Sequence, residues 1–261
     1  MSTILDKILA TKAIEVAERK LSVSISDLEN KPFFLRKCLS LKQNLLDSET
    51  GIISEFKRKS PSKGWIHEMA DVIKITSGYS GAGASGISIL TDLSYFGGTT
   101  QDILASRTLI SCPLLRKDFV IDEYQLYEAK AMGADVVLLI AAALSPKQTL
   151  ELAKTAHGLG LEILLEIHNE SELGHISENI DMIGVNNRNL KTFEVNTKVS
   201  FILADLIPDQ FVKVSESGIS KVVTVQELRK AGYKGFLMGE NFMKETNPAE
   251  ALSRFIAELK N

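Results

Sequence analysis

From Ile52 onward, short apolar runs return at intervals of roughly 20–30 residues, room for one helix and two loops. They lie at 52–56, 86–90, 114–119, 136–140, 162–167, 182–186, 211–216 and 235–239. The runs are rich in Val, Ile and Leu and almost unbroken, as parallel strands covered on both faces should be. Helical patterns fill the gaps at 122–132, 146–158 and 220–231, and Gly133, Gly160 and Gly232 stand where those helices should stop. Eight β–α units without a break in composition predict an α/β fold, a closed (β/α)8 TIM barrel. A doubly wound sheet is the other arrangement, and it usually carries a Gly-rich dinucleotide loop after its first strand. The spacing GxGxxG occurs here only at 81–86, ahead of a strand, where it reads as a helix stop and a turn.

Residues 1–48 precede this rhythm and read as an N-terminal helical extension of one barrel domain, packed against it. An amphipathic helix is expected from Ser2/Thr3 to about Lys20. Ile4, Leu5, Ile8, Leu9, Ile14 and Val16 form its apolar side, and Asp6, Lys7, Lys12, Glu15, Glu18, Arg19 and Lys20 its wet side. Short helices are expected at 26–28 and 33–39.

The length of 261 residues suits one barrel with a well-buried core. A net charge of −3 argues against a general nucleic-acid binder, although single basic side chains remain available for a small anion. Cys38 and Cys112 stand in no metal-like or CxxC spacing and are expected as buried free thiols in a reducing compartment. No apolar run reaches the roughly 18 residues of a bilayer span, and the N-terminus lacks a signal-peptide core. The expectation is a cytoplasmic protein without a membrane partner, a monomer with a dimer as the alternative.

Barrel active sites sit at the C-terminal ends of the strands, so the polar residues there are the ones to examine. Side chains alternate along a strand, which puts Ile53, Glu55 and Lys57 on one face of the first. The same spacing groups Leu115, Lys117 and Phe119, then Leu164, Glu166 and His168, then Gly184, Asn186 and Arg188. The seventh run ends in Glu216, Ser217 and Gly218, and the eighth in Gly239 and Glu240. Any one of these pairs could be a solvated strand end. The first strand and five others ending in polar groups at matched depth point to a site, because barrel stability does not require charges there.

The turns at Ser217–Gly218 and Gly239–Glu240 suit backbone N–H donation at short helix starts, the usual barrel phosphate cradle. His67, His157, His168 and His175 show neither HxH nor HExxH spacing, so no metal and no cofactor is expected. His168 reads as a residue behind the site or at the surface. Trp65, after the loop 60–64, reads as a loop anchor or as a cover for an aromatic ligand.

The segments EFKRKSPSKG, LTDLSYFGG, LLRKDFVIDEYQLYEAKAMGAD, LLEIHNESEL, IGVNNRNLKTFEV and VSESGI resemble the indole-3-glycerol phosphate synthase family, in order from about Glu55 to the C-terminus. The resemblance implies closure of 1-(2-carboxyphenylamino)-1-deoxyribulose 5-phosphate to indole-3-glycerol phosphate, with loss of carbon dioxide and water, in tryptophan biosynthesis. It makes Lys117 the general acid and Glu166 the base or acid of the dehydration. Lys57 binds the anthranilate carboxylate and assists proton transfer, and Glu55 orients these groups. Asn186 and Glu216 position the ribulose hydroxyls, Arg188 supports its loop, and Ser60 and Phe119 complete the substrate contacts. Ser217, Gly218, Gly239 and Glu240 hold phosphate. Two positions depart from the family: Lys59 replaces a common small residue, and Glu240 stands where many members have Ser. An acid beside a phosphate dianion should turn its side chain away.

The residue types suit that chemistry. An ammonium can protonate the ribulose carbonyl, and burial or a neighbouring lysine is expected to lower the pKa of Lys117 toward working pH. A barrel-strand lysine near a sugar phosphate is also the mark of a Schiff-base aldolase, and a phosphate-binding sensor is the non-enzymatic alternative.

Overall fold

All eight apolar runs become strands of one closed, parallel barrel in the computed structural model, which describes residues 3–261. The strands are β1 (Ile52–Phe56), β2 (Gly86–Leu90), β3 (Leu114–Lys117), β4 (Val136–Ile140), β5 (Glu162–Ile167), β6 (Met182–Asn186), β7 (Val212–Glu216) and β8 (Tyr233–Met238). Each pairs with the next in parallel, and β8 closes on β1 through Ile52↔Phe236, Ile53↔Leu237 and Ser54↔Met238. Five strands have the expected bounds. β3 stops at Lys117 instead of 119 because the next residue, Asp118, turns away to meet buried cations. β7 starts one residue later than expected, and β8 starts at Tyr233 and stops before Gly239.

Alternation sorts the strand residues into two cores. Ile53, Leu115, Leu138, Leu164, Met182, Val214 and Leu237 fill the barrel interior. Ile52, Ile87, Val137, Ile163, Leu165 and Phe236 face the surrounding helices. Each such side chain contributes about 1.5–3 kcal/mol when fully buried. The expected helix ends at Gly133, Gly160 and Gly232 have φ of 90°, 74° and 94°, the left-handed stop that glycine adopts without strain.

The helix α1 (Ile4–Ser22) begins at Thr3, whose side chain forms a capping box with Asp6; the expected start at Ser2 lies outside the described residues. Two expectations along α1 fail. Lys12, placed on the wet side, is fully buried, and Ile14, placed on the apolar side, is 62% exposed. The cause is tertiary: Lys12 Nζ meets Glu15 at 2.8 Å, Asp92 at 3.0 Å and Asp118 at 3.0 Å, so an acidic pocket on the barrel draws the helix round to it.

After α1 come α2 (Ile25–Glu29) and a turn where a helix was expected at 33–39. Asp135 organises that segment, accepting from Arg36 Nη2 at 2.5 Å and from the Leu39 N–H at 2.7 Å. Cys38 is only partly buried and accepts from Lys130 Nζ at 3.2 Å, while Cys112 is buried; both are free thiols. The unforeseen α3 (Leu41–Asp47) plugs the end of the barrel opposite the loops that follow the strands. Its Leu41 and Leu45 join the interior core, and Glu162, at the start of β5, accepts from the Leu41 and Lys42 N–H groups at 2.8 and 3.0 Å.

Candidate active site

With one end plugged, the open end holds a cavity walled by the strand termini. All thirteen side chains and turns singled out from the sequence line it: Glu55, Lys57, Ser60, Lys117, Phe119, Glu166, Asn186, Arg188, Glu216, Ser217, Gly218, Gly239 and Glu240. Lys117 is the hub. Its Nζ donates to Glu166 Oε2 at 3.0 Å and contacts Glu216 Oε2, joining β3 to β5 and β7. Across the cavity Lys57 Nζ lies 2.5 Å from Glu55 Oε1.

Two glycines make this crowding possible. A Cβ at Gly184 would sit 2.3 Å from Glu216 Oε1, and one at Gly239 would sit 2.5 Å from Glu55 Oε1. The sequence shows Gly184 in line with Asn186 and Arg188, but its purpose depends on what the neighbouring strand places above it. Glu216 Oε1 has no hydrogen-bond partner among the described residues although the side chain is buried. A bare buried acceptor of this kind is costly and leaves Oε1 free to accept from a donor in the cavity.

Burial alone would lower the pKa of Lys117, but Glu216, Glu166 and Glu55 outweigh it and hold the ammonium above the ordinary lysine value. The expected lowering is thus corrected, because the nearest neighbours of Lys117 are carboxylates and not another lysine. Burial pushes both of its partners up as well, and their surroundings then separate them. Lys117 and His168 pull Glu166 below the usual carboxylate range. Glu216, crowded by Glu166 and Glu55, is raised to about 7 despite the pull of Lys117. Two carboxylates on one ammonium therefore differ in charge: Glu166 stays ionised, while Glu216 holds a proton more readily.

The rim combines two unlike turns. Ser217 and Gly218 have φ of 65° and 76°, and the next helix starts only at Val222. The expected short helix start after β7 is therefore absent, and a left-handed turn stands there instead. After β8 the expectation is met: Gly239 leads into a four-residue helix, Glu240–Met243, whose first N–H groups have no intrahelical acceptor. Glu240 Oε1 accepts from Lys63 Nζ at 2.7 Å, and its other oxygen lies 4.0 Å from Arg188. These cations hold its pKa below the usual carboxylate range against the effect of burial.

Several contributors were not foreseen. Ile4, Leu5 and Ile8 of α1 line the cavity, so the extension is part of its wall. Their apolar spacing was visible, but spacing alone does not distinguish a packing face from a ligand face. Asn187 donates through Nδ2 to Ser215 Oγ, Glu216 O and Ser217 O at 3.0–3.1 Å and so fixes the end of β7. Trp65 does not line the cavity. It is half exposed with Lys59 Nζ 5.4 Å from its ring centroid, which fits a loop anchor.

The family model for indole-3-glycerol phosphate synthase matches residues 5–255. Curated relatives include the indole-3-glycerol phosphate synthase of Bacteroides thetaiotaomicron, 51% identical over 260 residues and covering 100% of each chain. That of Salinibacter ruber is 43% identical over 261 residues, covering 99% of this chain and 97% of the relative. Among solved structures, 3-hexulose-6-phosphate synthase from Salmonella typhimurium superposes with a TM-score of 0.61 at 12% identity, covering 80% of this chain and 99% of that one. KGPDC from Streptococcus mutans gives 0.60 at 15%, covering 80% and 96%. At such identity these two bear on the barrel fold alone.

Proposed function

The chain belongs to the indole-3-glycerol phosphate synthase family, decarboxylating and ring-closing lyases of tryptophan biosynthesis, and from that premise we propose how its cavity divides the work. The substrate is the sugar phosphate 1-(2-carboxyphenylamino)-1-deoxyribulose 5-phosphate. Lys57 holds the anthranilate carboxylate and Glu55 orients Lys57. Lys117 protonates the ribulose carbonyl oxygen as the aromatic carbon bearing that carboxylate attacks the carbonyl carbon. Loss of carbon dioxide returns the bonding pair to the ring and restores its aromaticity. Glu166 then removes a proton from ribulose C1 and delivers it to the departing C2 hydroxyl, which leaves as water, while Lys117 regains its proton from solvent.

The observation that carries this reading is Lys117 Nζ seated between Glu166 and Glu216 inside one cavity. The high proton affinity of Lys117 keeps the acid loaded, and the developing alkoxide is a stronger base than the amine. Glu216 Oε1 and Asn186 take the ribulose hydroxyls, with Arg188, Ser60 and Phe119 completing the contacts. Phosphate sits between the Ser217–Gly218 turn and the Gly239–Glu240 helix start, with the Glu240 carboxylate turned to Lys63. Residues 1–48 serve as an extension of a single barrel domain, and the enzyme works as a cytoplasmic monomer, with a dimer as the alternative, without nucleic-acid or membrane partners.

The test is steady-state turnover of the carboxyphenylamino-ribulose phosphate, followed by indole fluorescence. Lys117→Ala should lower kcat by about a thousandfold and Glu166→Gln by about a hundredfold or more. Near-wild-type turnover in either variant would end that role assignment. Borohydride in the presence of substrate should leave no adduct on Lys117, whereas a trapped adduct would favour Schiff-base chemistry.

A further inference from the structure

Glu166 gives only one oxygen to Lys117. The other, Oε1, lies 3.3 Å from Nε2 of His168, just past the end of β5, an ion-pair distance without hydrogen-bond alignment. The opposite ring nitrogen, Nδ1, lies 3.3 Å from Glu172 Oε2, and that same oxygen accepts from the His168 N–H at 2.6 Å. Glu172 belongs to the 3-10 turn Glu170–His175, where Asn169 Nδ2 donates to its second oxygen at 3.0 Å. The imidazole side chain is 10% exposed and does not line the cavity.

We propose that His168 is a positioning residue for the reaction: as an imidazolium held between Glu166 and Glu172, it keeps the Glu166 carboxylate ionised and turned toward the substrate. The inference rests on reading Glu166 as the base. The geometry argues for the charged ring directly. Nδ1 is hydrogen-bonded to Glu172, so in a neutral ring the Nε2 lone pair would face the Glu166 carboxylate at 3.3 Å, and protonating Nε2 turns that repulsion into an ion pair. Burial opposes that charge, but Glu166 and Glu172 overcome it and push the His168 pKa up to about 10.

The charges around this relay come from every side. Glu166 approaches from β5 and Glu172 from the 3-10 turn. The helix Pro146–Gly158, packed on that turn, brings Thr149 against His175, whose ring also senses Glu172. Beyond Glu166 stand Lys117, Glu216 and Glu55. Without the imidazolium, Glu166 would keep a single cation among these carboxylates. Its affinity for a proton would rise, and its freed oxygen would let the carboxylate rotate.

The test compares the full-length wild type with His168→Ala, His168→Asn and Glu166→Gln by steady-state kinetics and by the pH profile of kcat/KM. His168→Ala should lower kcat by about tenfold or more with KM nearly unchanged, and should move the acid limb of the profile to higher pH. His168→Asn, which restores a donor but no charge, should recover part of kcat and leave the limb displaced. If His168→Ala does not fold, His168→Gln, nearer the imidazole in size and uncharged, should displace the limb in the same direction. An unmoved limb in the folded variants overturns the proposal, even if kcat or the melting temperature falls, because packing alone would give that result. Should Glu166→Gln retain turnover, the premise fails. An inactive Glu166→Gln beside an unaffected His168→Ala refutes the role of His168 alone.

Discussion

At the scale of the residue, the candidate site depends as much on missing side chains as on charged ones. Glu216 occupies space that any Cβ at Gly184 would claim, with its Oε1 2.3 Å from that position. Gly184→Ala should therefore displace Glu216 from Lys117 while leaving the strand pairing intact. Turnover should drop by about tenfold or more, with a smaller proportional change in the urea midpoint. A variant with wild-type kcat/KM would show that Glu216 need not stand there. The charged residues were legible because alternation along a strand is fixed by covalent geometry: Glu55 with Lys57, and Lys117 in line with Leu115, follow from spacing alone. The role of Gly184 was not legible, since it depends on how β7 lies beside β6. The pKa of Lys117 was misjudged for a similar reason. Its value is set by which neighbours arrive from β1, β5 and β7, and no local pattern says that all of them are carboxylates.

At the scale of the element, strands were recovered almost to the residue, and the extension was not. A buried parallel strand announces itself by a continuous apolar run, whereas α3 is a seven-residue helix with Leu41 and Leu45 as its buried residues. What fixes α3 is Glu162, about 120 residues away in the chain, holding its N-terminal N–H groups. Lys12 makes the same point for α1, because a helix-face pattern counts every charge as wet and the pocket of Asp92 and Asp118 reverses that. The replacement Lys12→Met preserves length and apolar bulk but leaves Asp92 without its cation; Asp118 keeps Arg116 at 3.0 Å. Breaking one side of a buried ion cluster costs about 3–5 kcal/mol, read as a lower urea midpoint. Because Ile4, Leu5 and Ile8 of the same helix line the cavity, KM for the substrate should rise as well. An unchanged midpoint together with an unchanged KM would mean that α1 is held by its apolar contacts.

At the scale of the whole molecule, the charges gathered at the open end leave a signature in stability. Asp118 and Glu166 have folded pKa values below their ordinary ones, so their contributions are present above the ordinary carboxylate values and are lost only in strong acid. Lys117 is raised, and its contribution is lost only at strongly alkaline pH. Glu216 and His168 act in between, with the same sign. Glu216 titrates near 7 when folded and from 4.5 when not, so between those values the folded chain holds a proton the unfolded chain lacks. Stability therefore falls as pH rises through that window. His168 moves from 6.5 to about 10, so its contribution is complete below 6.5 and is lost as pH rises toward 10. Wild-type stability, followed by urea unfolding from pH 5 to 9, should decline throughout. Glu216→Gln should flatten the part below about 7 and His168→Asn the part above it, because each removes one of the two protons the folded state retains. A wild-type slope persisting in Glu216→Gln would place that neutral-range proton on another group and leave Glu216 ionised beside Lys117.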